Sequence, residues 1–133
     1  MTMLLKTGVA HGLPAFSALE YRHVGPNAWQ LTRTFMYFGE EYVIVVPFGF
    51  ITDLDSVPRV PGLYSLLKGR SVRAATVHDY LYSAQRGKKY ADKVFLEAMK
   101  DEGLPARRRY PIYWGVALFG HWAYNQYVDK QHD

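Results

Sequence analysis

Between Ser71 and Met99 the chain reads SVRAATVHDYLYSAQRGKKYADKVFLEAM, two helical hydrophobic stripes joined by a short basic turn. In the first, Ala74, Ala75, Leu81 and Tyr82 recur at helical spacing, and His78 stands among them. In the second, Asp92 sits within a stripe of Ala91, Phe95, Ala98 and Met99, while Lys93, Glu97, Lys100 and Asp101 take the wet side. The spacing predicts helices over 71–86 and 90–102. Ser71 is the expected N-cap of the first, and Gly87 is expected to end it in a left-handed conformation. So short a turn makes the helices antiparallel neighbours, and His78 and Asp92 are expected to meet across the seam. A carboxylate there would hold one ring nitrogen and leave the other to take a proton.

The bulk composition narrows the classes of function. With 133 residues the chain is long enough for one domain with its own core, and no domain boundary, repeat or low-complexity tract divides it. It has no cysteine, which excludes a disulfide framework, a thiolate metal site and a cysteine nucleophile. The net charge of +4 is modest. The basic runs Arg107-Arg108-Arg109 and Lys88-Lys89 read as solvated helix ends, and no nucleic-acid partner is expected. The opening MTMLLKTGVAHGLPAF lacks the features of a signal peptide. The longest apolar region, Ile112 to Tyr124, is interrupted by His121 and too short to span a bilayer.

Ahead of the helices the pattern is that of strands. Residues 1–17 read as an irregular arm punctuated by Gly8, Gly12 and Pro14. Ala18 to Val24, Trp29 to Tyr37 and Tyr42 to Val46 read as three strands of an antiparallel meander, with turns at Gly25–Asn27 and Gly39-Glu40. Residues 47–70 are expected to form a loop, because Pro47, Pro58, Pro61 and Gly49 interrupt any regular element. A last helix is expected from Ala106 to Val128, with Gly115 and Gly120 offering flat places for close packing and Trp114, Phe119 and Trp122 in the core. The fold class that results is α+β, a small N-terminal antiparallel meander packed on a C-terminal three-helix unit.

Three groups of residues carry chemistry. On a helix His78 and Tyr82 share a face, while Asp79 points about a quarter-turn away. In one reading His78 is a general base for water and Asp79 a carboxylate ligand for a hard cation. In the plainer reading His78 is a core histidine and Asp79 a solvated helix residue. Asp92 is expected in the first turn of its helix, where the dipole favours a carboxylate, yet a carboxylate on an apolar face is costly unless paired. Asp53, Asp55 and Ser56 put several oxygens on one loop, which suits calcium or magnesium, or else they form an Asx-turn and a helix cap ahead of Pro58.

Two resemblances bear on these residues. VPFGFITDLDSVPR, AATVHDYLY, YADKVFLEAM and FGHWAY follow one another between about Tyr21 and Trp122. This succession, with G-F-x-T-D-x-x-S-V-P and H-D-x-L-Y as its carrying motifs, resembles a family of small phage and prophage proteins known as a domain of unknown function. Asp55 departs from the pattern, which has a small residue there, so Asp53 and Ser56 are the better loop candidates. The resemblance implies phage origin and no settled activity.

From Ala74 to Met99, H-D-x-x-Y followed by A-D-x-x-F-x-x-x-M is similar to the active-site helix pair of bacterial and fungal secreted phospholipases A2. That similarity implies His78 as the water-activating base, Asp92 as the carboxylate that orients it and Tyr82 as a hydroxyl donor behind them. It also implies Asp79 as a calcium ligand, together with an upstream loop. The family's cysteines are missing here, and in place of its glycine-rich calcium loop the chain offers Phe48-Gly49-Phe50 to Asp53.

Together these readings lead to a phage-encoded, hydrolase-like protein that attacks an ester or other acyl linkage of the bacterial envelope. The competing reading is a virion component, a tail or baseplate subunit, in which the same polar residues are structural and the partners are other virion proteins. Virion or host cytoplasm is the expected location.

Overall fold

The computed structural model describes residues 15–26, 28–52, 72–121 and 124–125. Five strands precede three helices: β1 Tyr21–Gly25, β2 Ala28–Leu31, β3 Phe35–Phe38, β4 Val43–Val46 and β5 Ile51–Thr52, then α1 Val72–Ser83, α2 Lys88–Asp101 and α3 Ala106–Phe119. The α+β class expected from the sequence is the class observed.

The strands form two small antiparallel sheets, one ordered β1-β2-β5 and the other β3-β4. The single strand expected over Trp29–Tyr37 is broken at residues 32–34. A continuous strand would place Arg33 on the same face as Leu31, Phe35 and Tyr37, all of which are buried. The bend instead turns Arg33 outward, where its guanidinium meets Glu20 at 3.0 Å.

Two further departures concern stretches read as irregular. The end of the N-terminal arm docks: Phe16 bridges Tyr37 and is buried with it. The expected loop contains β5, which follows a turn at Gly49 (φ +90°) and pairs Ile51 with Gln30 and Thr52 with Trp29. Proline disfavours strand interiors, but this pairing lies between Pro47 and Pro58 and needs neither.

The first two helices run close to their predicted bounds, whereas α3 ends at Phe119 rather than Val128, and residues 126–128 of the expected helix lie outside the described residues. Between α1 and α2 the left-handed residue is Gln85 (φ +54°), and Gly87 (φ +101°) is the N-cap of α2 rather than the sole stop of α1. Ser71, the expected cap of α1, lies outside the described residues. The first free N–H groups of α1 are met from elsewhere: the Glu102 carboxylate accepts from Arg73 N at 3.1 Å and Ala74 N at 3.0 Å. An anion at a helix N-terminus satisfies orphan donors and opposes the dipole.

One hydrophobic core joins both sheets to all three helices, with Phe35, Tyr37 and Val46 from the strands against Val77, Leu81, Phe95, Met99 and Ile112. The wet side of α2 is less wet than its composition suggests. Asp101 accepts from the Tyr37 hydroxyl at 2.7 Å, and Glu97 accepts from the Tyr42 hydroxyl and the Glu40 N–H. On α3, Trp114 is 56 % exposed, against the expectation of a core residue, because Ile112 and Val116 occupy the inward face. Trp122 lies outside the described residues. No helix among the described residues is long and apolar enough to cross a membrane.

Candidate functional site

Asp92 is the centre of the polar cluster between α1 and α2. Its Oδ1 lies 2.8 Å from His78 Nε2 and accepts the Tyr82 hydroxyl at 2.7 Å. Its Oδ2 accepts the Lys88 ammonium at 2.6 Å. The antiparallel packing of the two helices therefore brings His78, Tyr82 and Asp92 together as the stripe pattern predicts. Asp92 is not in the first helical turn, however. The helix begins at Lys88, so Asp92 stands one turn in, where its environment rests on specific donors rather than on the helix end.

The electrostatics follow from those donors. Burial alone would raise the Asp92 carboxyl, but the hydrogen bond and charge of His78, with Lys88 and Tyr82, outweigh it and hold the group below its ordinary value of 3.8. An ionised carboxylate only accepts, so Nε2 of His78 donates to it. Burial first, and the Asp92 charge second, push the Tyr82 phenol far above its usual range, so Tyr82 serves as a neutral donor. The imidazole lies between the rings of Phe95 (centroids 4.4 Å) and Tyr82 (4.2 Å), which fix its plane. Among the described residues Nδ1 has no hydrogen-bond partner.

Lys88 and Gly120 complete the cluster from the far side. Lys88 Nζ also donates to the carbonyls of Val116 (3.1 Å) and Ala117 (3.2 Å) in the last turn of α3, where a cation meets the negative end of the dipole. Gly120 leaves room for Tyr82: a Cβ there would lie 2.9 Å from its hydroxyl. In the sequence Lys88 stands in a basic run that reads as a solvated helix end, although its i,i+4 spacing to Asp92 is the available signal.

Asp79 takes a different place. It is 8 % exposed and its Oδ2 accepts the Thr52 hydroxyl at 2.6 Å, so β5 is tied to α1 at this point. Thr52 is the threonine of the G-F-x-T-D motif, and the β2–β5 register brings it to Asp79. Asp53, Asp55 and Ser56 lie outside the described residues. Calcium takes about six to eight oxygen ligands. Among the described residues no cluster of three or more His, Cys, Asp or Glu could hold a metal.

Fold and cluster together define an α+β domain whose helix pair encloses a buried imidazole–carboxylate contact. A family model described as "Protein of unknown function (DUF1353)" matches residues 29–116. The chain belongs to that family. Nothing among the curated proteins or the solved structures matches it.

Proposed function

We propose that the protein is a small hydrolase-like protein of phage or prophage origin in which His78 is the general base. The observation that carries this reading is an imidazole bonded through Nε2 to an ionised carboxylate, with Nδ1 left without a protein partner among the described residues. Nδ1 would take a proton from water as the water oxygen attacks an acyl carbonyl carbon. The same proton would then pass to the departing alkoxide, which balances the step. Asp92 and Tyr82 position the ring. Lys88 neutralises the carboxylate from its other oxygen, so Asp92 acts on His78 chiefly through orientation. The substrate class is an ester or other acyl linkage of the bacterial envelope, on the strength of the phospholipase A2-like motif. Calcium enters the proposal only through Asp79 and Asp53, and no step is routed through it.

A second reading has support of its own. His78 is 7 % and Asp92 3 % exposed, which suits a satisfied polar core in a non-enzymatic virion subunit. Tyr110, Trp114 and Leu118 stand exposed at four-residue spacing along α3, as a docking face would.

One experiment separates the two. Hydrolysis of a short-chain p-nitrophenyl ester and of a short-chain phosphatidylcholine is followed with calcium and with EGTA, for the wild type, His78→Ala and Asp92→Asn. The catalytic reading expects turnover that falls by about 10²-fold or more in His78→Ala, with the circular dichroism spectrum retained. Turnover equal in wild type and His78→Ala, or none in either, overturns it in favour of the structural reading.

A further inference from the structure

Among the described residues the outer edge of β4 is unpaired, and the backbone shows which groups it offers. Met36 and Phe38 direct their backbone groups to the Ala15–Ser17 segment: Ser17 N donates to Met36 O at 2.9 Å and Phe38 N to Ala15 O at 2.7 Å. Alternation then turns Phe35 and Tyr37 toward β4, where they pair with Val46 and Ile44. The intervening Val43 and Val45 must turn their N–H and C=O groups away from β3. Among the described residues nothing donates to or accepts from them.

This edge borders a groove of about 270 Å³ lined by Val43, Ile44, Val45, Tyr80, Leu81 and Arg86. Ile44 and Leu81 are buried and form an apolar floor, while Val43 and Val45 are 42 % and 47 % exposed. Arg86 is exposed and forms no ion pair among the described residues. Helix α1 thus stands beside an unpaired strand, with an unmatched cation at the groove between them.

We propose that this groove binds an extended acidic peptide of a protein partner, which joins β4 as an added strand. Unpaired alternate N–H and C=O groups select an extended backbone, the groove floor accepts one apolar side chain opposite Ile44, and Arg86 selects a carboxylate. A helix would leave the β4 groups unmet. A second copy of the chain would bring its exposed Glu40 and Glu41 beside its own β4, and the test below separates it from a peptide partner. The inference is independent of any chemistry at His78.

The test is selection from a displayed library of random decapeptides against the whole protein, followed by synthesis of the enriched peptides and fluorescence anisotropy. Enriched sequences should join an apolar, β-favouring core to Asp, Glu or a free C-terminal carboxylate. Val45→Pro removes only an outward N–H, and Arg86→Glu reverses the charge at an exposed site. Each should weaken binding by about tenfold or more, and bound peptide should protect the Val43 and Val45 amides from exchange. Arg86→Glu keeps the test valid if Val45→Pro does not fold. No enrichment, or binding indifferent to Arg86→Glu, overturns the proposal. Concentration-dependent dimerisation in place of peptide binding overturns it too.

Discussion

Lys88 holds the carboxylate of Asp92 from one helical turn away, with Nζ 2.6 Å from Oδ2, and the same ammonium fastens the carbonyls of Val116 and Ala117. Three helices therefore meet at one charge pair: His78 from α1, Lys88 and Asp92 from α2, and the C-terminal turn of α3. Asp92 is 3 % exposed, so the pair is shielded from solvent on one side, while the Lys88 side chain keeps 20 % exposure.

Removal of Lys88 should be costly because it leaves a buried carboxylate short of its cation. Lys88→Met keeps most of the aliphatic stem and should destabilise the protein by about 1–3 kcal/mol, read as a lower urea midpoint at unchanged slope. Asp92→Asn alone should also destabilise. The double variant should lose less than the two singles combined, since neither charge is then stranded. Additive losses would show that the two groups are energetically independent.

The contrast between Lys88 and His78 explains how much of the cluster could be read from the chain. His78 and Asp92 announced themselves because each interrupts an apolar stripe, and stripe position alone decided that they face the partner helix. Lys88 precedes its stripe, in a turn where a lysine is ordinary, and its burial comes from α3, which no local pattern places. The bond of Thr52 to Asp79 is hidden for the same reason, since it depends on the register of β5. The strand break at residues 32–34 was legible in retrospect: Arg33 could not share a face with Leu31 and Phe35. Trp114 misled because aromatic content signals burial only when the helix has a neighbour on that side.

The carboxylates of the fold should titrate in opposite senses. Asp92 is held below its ordinary value of 3.8, so the unfolded chain binds the proton more readily. Its stabilisation is present above that value and lost as pH falls through the lower folded one. Urea midpoints for the wild type should drop on the acid side of about pH 4, and Asp92→Asn should flatten that limb.

Glu102 is raised above 4.5, chiefly by burial, which exceeds the effect of the Ala74 and Arg73 donors. Its contribution is therefore present below its ordinary value and declines as pH rises through the higher folded one. Glu102→Gln keeps an acceptor for the α1 amides and should gain on the wild type as pH rises above the ordinary value of 4.5. A gain that grows toward low pH instead would contradict this account of the buried cap.

Gly120 offers the sharpest steric test of the cluster. A Cβ at this position would meet the Val116 carbonyl oxygen at 2.5 Å and the Tyr82 hydroxyl at 2.9 Å. The first is backbone that also accepts the Lys88 ammonium, so it cannot yield without loosening that contact. The second is the donor to Asp92 Oδ1. Gly120→Ala should thus disturb two of the three groups that hold Asp92, at a cost of about 1–3 kcal/mol. Tyr82→Phe removes the hydroxyl and should relieve part of that crowding, so Gly120→Ala should cost less in the Tyr82→Phe background than in the wild type. Thermal unfolding of the four proteins in this cycle measures the difference. An equal cost in both backgrounds would place the strain wholly at Val116 and leave Tyr82 free of Gly120.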